Sequence, residues 1–440
     1  MSDLVDARSL SGVKSGPLAH PWLQLAIGIL CMAMIANLQY GWTLFVGPID
    51  AKHHWGRVAI QVAFTIFVVA ETWLVPIKSW FVDRHSPRLV VSVGGVLVAI
   101  AWVVNSLADS LFLLYLGAAI GGAGAAAVYG SCVGNALKWF PRRRGLAAGL
   151  TAAGFGAGAA LTVVPIADMI DSRGYEAAFL YFGLGQGIVI LLAATLLRKP
   201  TDQEMAAAGR RRSTTDDTGP AEVLRTPVFW AMYLTFVLIA SGGLMAAAQI
   251  APIAKDLKLD HAPVSLVGLT MPALTFAISL DRIFDGFGRP FFGWVSDRIG
   301  REVTMFGAFA TCALAMLLLD RYGADPTIFV LTTALFFLAF GEIYSLFPAT
   351  CGDTFGATYA STNAGMLYTA KGTASLVVPL AGSIAASSGW HAVFMLAMVF
   401  SLMAALLALF VVRPLRAKFL AAHIPVQATV IAHGGRTDQR

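Results

Sequence analysis

The sequence predicts an all-α integral membrane protein, with twelve transmembrane helices arranged as two six-helix bundles. Three observations carry this. Of the 440 residues, 57% are hydrophobic and only 13% charged, whereas a soluble domain carries about 25% charged residues. Apolar runs long enough to cross about 30 Å of hydrocarbon, which takes about 20 residues, recur twelve times. A polar stretch then divides these runs six and six.

In order, the first six runs are 22–47, 58–80, 89–107, 111–134, 145–167 and 176–197. The second six are 228–251, 264–294, 303–319, 327–349, 361–386 and 391–412. The first run is too long for a signal-peptide core and has no small-residue cleavage pattern after it, so it stays as the first span. Between the sets, 198–226 holds Arg210, Arg211, Arg212, two prolines and a Ser/Thr/Asp cluster, the composition of a flexible linker. The chain is thus expected to divide into an N-terminal tail (1–20), a first bundle (21–197), the linker (198–226), a second bundle (227–413) and a C-terminal tail (414–440).

The net charge of +6 is spread over short turns rather than gathered into a patch, which argues against a nucleic-acid surface. Basic loops (Arg84 and Arg88; Lys138 with Arg142, Arg143 and Arg144; Arg298 and Arg301; Arg413, Arg416 and Lys418) alternate with mixed or acidic ones such as Asp168, Asp171 and Glu176. Positive loops stay on the cytoplasmic side, so both termini and the linker are expected there, in a bacterial plasma (inner) membrane. The loop with Lys52 and Arg57 runs mildly against this. Cys31, Cys132, Cys312 and Cys351 sit in or beside apolar runs without paired spacing, so neither a disulfide nor a zinc site is expected. No cofactor and no metal is called for, and the chain is expected to work as a monomer in the lipid bilayer.

The two halves look related. Ser79-Trp80-Phe81-Val82-Asp83-Arg84 resembles Gly293-Trp294-Val295-Ser296-Asp297-Arg298 at a shift of 214, and Tyr129 matches Tyr344 at a shift of 215. Six-helix repeats joined by a linker are a signature of transporters. The second copy, Gly293 through Asp297, Arg298, Gly300 and Arg301, resembles the loop signature of the major facilitator superfamily. There a glycine lets two helices approach, and an aspartate with basic residues latches them. In the first copy, around Asp83 and Arg84, Ser79 and Ser86 replace the glycines. The glycine-dense stretch Gly154–Gly158 lacks the strand that a nucleotide loop needs and reads as close helix packing.

Intramembrane charges point to the site. Arg289 lies eight residues before Asp297, about 12 Å deep at 1.5 Å per residue, and Lys371 lies about 14 Å into the eleventh run. Such charges are costly unless they face a cavity or partners. Arginine offers a carboxylate a planar fork, and lysine offers a point charge for a second one. A dianion such as oxalate would match both. The alternative is that each cation is neutralised by an acid and only holds helices together.

Gln39-Tyr40-Gly-Trp42, Ala63-Phe64-Thr65, Trp139-Phe140-Pro141 with Arg144-Gly145-Leu146-Ala147, Gly288-Arg289-Pro290-Phe291, Tyr344 to Pro348 and Ala370-Lys371 to Ser375 together resemble the oxalate/formate antiporter family, from about Pro21 to Pro414. The resemblance implies that Arg289 and Lys371 bind the substrate carboxylates, and that Gln39, Tyr40, Tyr129, Tyr344 and Tyr368 line the cavity. Phe155 and Phe340 depart from the tyrosine and tryptophan expected there. So do the extra charges Glu71, Lys78, Asp281, Arg282, Asp285 and Glu342.

Asp285 is one turn before Arg289 and also resembles the aspartate–arginine pair of proton-coupled monocarboxylate transporters. Glu71 could pair with Lys78 two turns on. Two expectations follow. The first is exchange of small carboxylates, oxalate against formate, at an uncompensated positive site that hinders the empty carrier from reorienting. The second is proton-coupled monocarboxylate symport with Asp285 or Glu71 as the proton site. An enzyme or sensor is not expected, since no nucleophile–base or metal constellation shares one depth and the loops are too short for a further domain.

Overall fold

The computed structural model describes residues 20–84, 86–207, 217–266 and 268–423. Nearly all of the N-terminal tail, the arginines at 210–212 and most of the C-terminal tail therefore lie outside the described residues.

The first span is built from α1 (Pro21–Ile35), α2 (Asn37–Tyr40) and α3 (Trp42–His53), and the second from α4 (Arg57–Trp73) and α5 (Val75–Arg84). Four unbroken helices follow: α6 (Pro87–Ser106), α7 (Leu111–Trp139), α8 (Arg144–Arg173) and α9 (Tyr175–Leu196). The short helices α10 (Asp202–Ala207) and α11 (Pro220–Val223) belong to the connecting stretch. There Arg198 bonds both carboxylate oxygens of Glu204 and holds that group below its ordinary pKa.

The second set begins with α12 (Pro227–Asp256), α13 (Ala273–Ile299) and α14 (Arg301–Tyr322), followed by α15 (Pro326–Phe340) and α16 (Ile343–Phe355) as one broken span. Next, α17 (Ala360–Ser375) runs into α18 (Val378–Leu407), whose Gly389 at φ 76° separates the eleventh span from the twelfth. The last span ends in a π-helical turn (Ala408–Val412) and α19 (Arg413–Ala422).

Local chemistry sets the helix starts. Ser86, Thr226 and Asp325 each place a side-chain oxygen on a first-turn amide and are each followed by proline. Proline at the first helical position costs no hydrogen bond. Gly300, at φ 101°, makes the sharp corner between α13 and α14, a conformation open to glycine.

The 264–294 run is not one helix. Pro263–Leu266 (β1) pairs antiparallel with Leu269–Pro272 (β2), with Val264 opposite Met271, and α13 starts only at Ala273. Proline brackets this hairpin at both ends and Gly268 takes φ 79° in its turn. Apolar character alone did not reveal these breaks.

Nine stretches among the described residues are long and apolar enough to cross a membrane by length and composition. Helices α13 and α17 fall outside that set, as does α8. The first carries Asp281, Arg282, Asp285 and Arg289, and the second is 16 residues long and carries Asn363 and Lys371. Large apolar side chains such as Phe112, Leu192, Phe287 and Phe410 are exposed on the outer faces, as a lipid-facing surface requires.

Helices α1 to α9 pack among themselves, as do α12 to α19. Two seams join the halves: α8 against α13 and α16, and α4, α5 and α7 against α17. A shift of about 214 residues carries the second span onto the eighth and the fifth onto the eleventh, so the two seams are equivalents of one another. Spans 1 and 10 are broken beside Gly41 and Gly341 respectively. Those breaks put Gln39, Tyr40 and Tyr344 between the seams.

Candidate functional site: a paired-charge cluster at mid-membrane depth

Arg289 and Lys371 converge on one aromatic ring. The Arg289 guanidinium carbon is 4.6 Å from the Tyr344 ring centre and the Lys371 ammonium 5.7 Å. Lys371 Nζ donates to Tyr368 OH at 3.0 Å and to Gln39 Oε1 at 3.4 Å. Tyr129 stacks on Tyr368 at 4.5 Å, and Phe155 stands edge-on to both Tyr129 and Tyr40. All seven residues expected to meet substrate thus form one cluster, drawn from α2, α7, α13, α16 and α17 of both halves. Trp42, from the same motif as Gln39, turns elsewhere. It lines a cavity of about 20 Å³ inside the first half with Asn37, Asn105 and Phe179.

The cluster differs from expectation in its electrostatics. Arg289 Nη2 bonds Asp285 Oδ2 at 2.5 Å and Nη1 bonds the Ala152 carbonyl of α8 at 2.7 Å. Lys371 Nζ lies 3.2 Å from Glu71 Oε2, and Tyr368 OH donates to Glu71 Oε1 at 3.2 Å. Two cations therefore face two carboxylates, and the site is formally neutral rather than positive. It is also sealed, with Arg289 1% and Lys371 2% exposed. The physical reason is the one weighed from sequence: a charge removed from water needs a partner. Arg289 has the aspartate one helical turn away. Lys371 has a glutamate from the opposite half, not from its own. Glu71 is not paired with Lys78, which forms no ion pair among the described residues. The argument that a residual positive charge blocks return of the empty carrier no longer holds.

Two latches close the face bearing the linker. Asp297 accepts from the backbone amides of Gly145 and Leu146 at 3.0 and 2.9 Å and pairs with Arg301 at 2.7 Å. Asp83, its counterpart, pairs with Lys138 at 2.5 Å and accepts from Thr362 N at 2.8 Å and Oγ1 at 2.7 Å. Each carboxylate thus sits at the N-terminus of a helix in the opposite half, where free amides and the helix dipole favour an anion. Arg144 and Arg301 share Asp353 between them.

Gly293 allows this approach, since a Cβ there would lie 2.2 Å from the Gly145 carbonyl oxygen. Arg84 and Arg298 lie over Trp80 and Trp294, at 4.0 and 3.6 Å from the ring centres, so neither carries its latch directly. The serine at position 79 does not loosen the first latch, because the bridging atoms belong to Asp83. Between the cluster and the far face, no hydrogen bond or ion pair joins the halves among the described residues. Arg282 lies over the Tyr40 ring of the other half at 5.1 Å.

Several participants were not foreseen. The Ala152 carbonyl and the 145–146 amides are backbone groups and carry no sequence signal. Lys138 and Asp353 were visible only as charges at run ends. Glu342, noted for its place within a run, is fully buried in the break of span 10, and neither carboxylate oxygen has a protein partner.

The sequence profile of the Major Facilitator Superfamily matches residues 25–289 and 277–433. The "Oxalate:formate antiporter" of Oxalobacter formigenes is 36% identical over 404 residues, 91% of this chain and 94% of that protein. "Monocarboxylate transporter 11" of Mus musculus is more distant, 26% identical over 66% of this chain and 64% of its own length. Among solved structures, the proton:xylose symporter XylE bound to 6-bromo-6-deoxy-D-glucose superposes with a TM-score of 0.67 at 11% identity, covering 88% of this chain and 94% of that one. The Escherichia coli fucose:proton symporter FucP gives 0.64 at 13%, covering 88% and 98%. These two speak for the fold alone. With the duplicated latch, the twelve-span architecture and the matched relative, the chain belongs to the major facilitator superfamily and, within it, to the oxalate/formate antiporter family.

Proposed function

We propose that this chain is a secondary transporter of small carboxylate anions that works by alternating access, exchanging substrates of the oxalate and formate class. The observation that carries this is the convergence of Arg289 and Lys371 on the Tyr344 ring, one cation from each of two spans at matching depth. A compact dicarboxylate fits them as an arginine fork plus a point charge. Its binding would draw α13 and α17 together with α2 and α4 of the other half, and so couple occupancy to the rocking of the bundles. Gln39, Tyr40, Tyr129 and Tyr368 shape the chamber. The latches through Asp83 and Asp297 hold one end-state closed on the linker side. By the distribution of lysine and arginine, that side is cytoplasmic, with both termini, in a bacterial plasma membrane. The two bundles, 21–197 and 227–413, move as the alternating bodies, and one monomer suffices.

The test is a panel of labelled mono- and dicarboxylates in preloaded proteoliposomes, repeated with Lys371→Gln. A dicarboxylate preferred by the parent and not carried by the variant supports the reading. Equal carriage of dicarboxylates by both would overturn it.

A second reading, proton-coupled monocarboxylate symport, is favoured by the ion pair between Arg289 and Asp285 at 2.5 Å. Protonation of Asp285 would free the arginine for one carboxylate. Uptake driven by an imposed proton gradient into vesicles without internal substrate, lost in Asp285→Asn, is its signature. Exchange insensitive to the gradient rules it out.

A further inference from the structure

The Lys371 seat is already filled. Glu71 offers Lys371 and Tyr368 one carboxylate oxygen each, at 3.2 Å in both cases. These are the side chains that a substrate carboxylate would engage. The glutamate comes from α4, in the half opposite to Lys371, and is wholly buried. It therefore stands in the chamber as a tethered copy of the ligand's own functional group, and a substrate reaches Lys371 only by displacing it.

The displaced carboxylate has nowhere favourable to go. Around Glu71, α17 presents Lys371 and Tyr368, α2 presents Gln39, and α7 presents Tyr129, stacked on Tyr368. Lys78 on α5 is two turns away and unpaired with it. On α3, the charged and titratable residues Asp50, Lys52 and His53 lie at the far end, engaged with the Gly56 amide, Glu176 and Tyr175. Among the described residues no second cation is ion-paired with Glu71 to take over when Lys371 turns to substrate. A buried carboxylate stripped of its partner is relieved by a proton.

We propose that Glu71 is a resident carboxylate in the Lys371 seat, and that a substrate carboxylate replaces it there while Glu71 takes up one proton. This deepens the proposed function and rests on it. The cycle balances. One proton from the entry side goes onto a Glu71 oxygen as the substrate's oxygens take the Lys371 ammonium. When the substrate leaves, Glu71 gives the proton up and re-forms its ion pair. With Arg289 and Asp285 behaving likewise, each carboxylate crosses with its compensating proton, the chamber keeps its neutrality, and the membrane potential does not drive the step.

The test is calorimetric titration of the full chain in nanodiscs with oxalate and with formate, in buffers of different ionisation enthalpy, which counts protons taken up per ligand bound. Oxalate binding to the wild type is expected to take up protons, with affinity falling about tenfold per pH unit for each one. Glu71→Gln is expected to remove about one proton from the oxalate count, and Glu71→Asp to restore it. A purely structural Glu71 would leave that count unmoved. Oxalate binding to the wild type without proton uptake, or an unchanged count in Glu71→Gln, overturns the proposal while leaving carboxylate transport standing. Failure of the wild type to bind or exchange any carboxylate removes the proposed function, and this inference with it.

Discussion

Gly149→Ala should shift the resting conformation of the carrier without unfolding it. A Cβ at position 149 would lie 2.3 Å from the Arg289 carbonyl oxygen, 2.7 Å from its carbon and 2.8 Å from Pro290 Cα. All three are backbone atoms of the other half, and ordinary contact begins near 3.4 Å, so α8 and α13 must part by about 1 Å. Overpacking a close contact costs about 1–3 kcal/mol. Because the two helices belong to different halves, they can escape by rocking apart, and the strain appears as a bias against linker-side closure of about 5- to 150-fold. Spin labels at Arg142→Cys and Ile299→Cys, both exposed and on opposite halves, report that separation. The native cysteines are all buried and do not compete for label. The distance distribution should move to longer values in Gly149→Ala and stay put in Gly185→Ala, whose Cβ meets nothing within 4 Å. An unchanged distribution in folded Gly149→Ala, or an equal shift in the control, would refute the reasoning.

Three further outcomes are expected. Asp297→Asn weakens two charge-assisted bonds to the α8 amides and the pair with Arg301, so it should lengthen the same label distance. Asp83→Asn should do so to a similar extent, each by a bias of about 1.5–3 kcal/mol; no effect of Asp83→Asn would mean that only the second copy latches. Lys371→Gln strands Glu71 in a buried site at a cost of about 3–5 kcal/mol, lowering the thermal midpoint in detergent. The double variant with Glu71→Gln should regain most of that loss, and a double variant less stable than Lys371→Gln would refute the pairing. Arg289→Lys keeps the charge but loses the fork that reaches both Asp285 and Ala152. Exchange of labelled carboxylate should fall about tenfold or more, and parental rates in that variant would show that the fork is not needed.

What the sequence revealed and what it withheld divide along physical lines. Span number, the duplication and the depth of Arg289 and Lys371 follow from hydropathy and rise per residue, which are properties of the chain alone. Asp285 was legible as a partner because one helical turn joins it to Arg289. Glu71 was seen as a charge but given the wrong neighbour. Its true partner lies 300 residues away, and only the packing of α4 on α17 reveals it. For the same reason the cluster's charge was misjudged: cations were counted by depth, while the carboxylates that face them are set by tertiary contacts. The hairpin before α13 was hidden because valine, leucine and methionine suit a short strand as well as a membrane helix, and only Pro263, Gly268 and Pro272 hinted otherwise.

The way Asp297 grips α8 bears on how such a carrier tolerates change. Its socket is made of main-chain amides at 145 and 146, groups that almost any residue supplies. Replacing Leu146 by another side chain leaves the socket whole, and only proline, which has no amide hydrogen, deletes its half of it. The side chain at 146 is therefore free to drift, while the single carboxylate that reaches across is not, nor are Gly145 and Gly149, where a Cβ would lie 2.4 Å from the Gly293 carbonyl oxygen and 2.3 Å from that of Arg289. The closing step thus rests on one carboxylate, two main-chain amides and the glycines that let α8 and α13 approach.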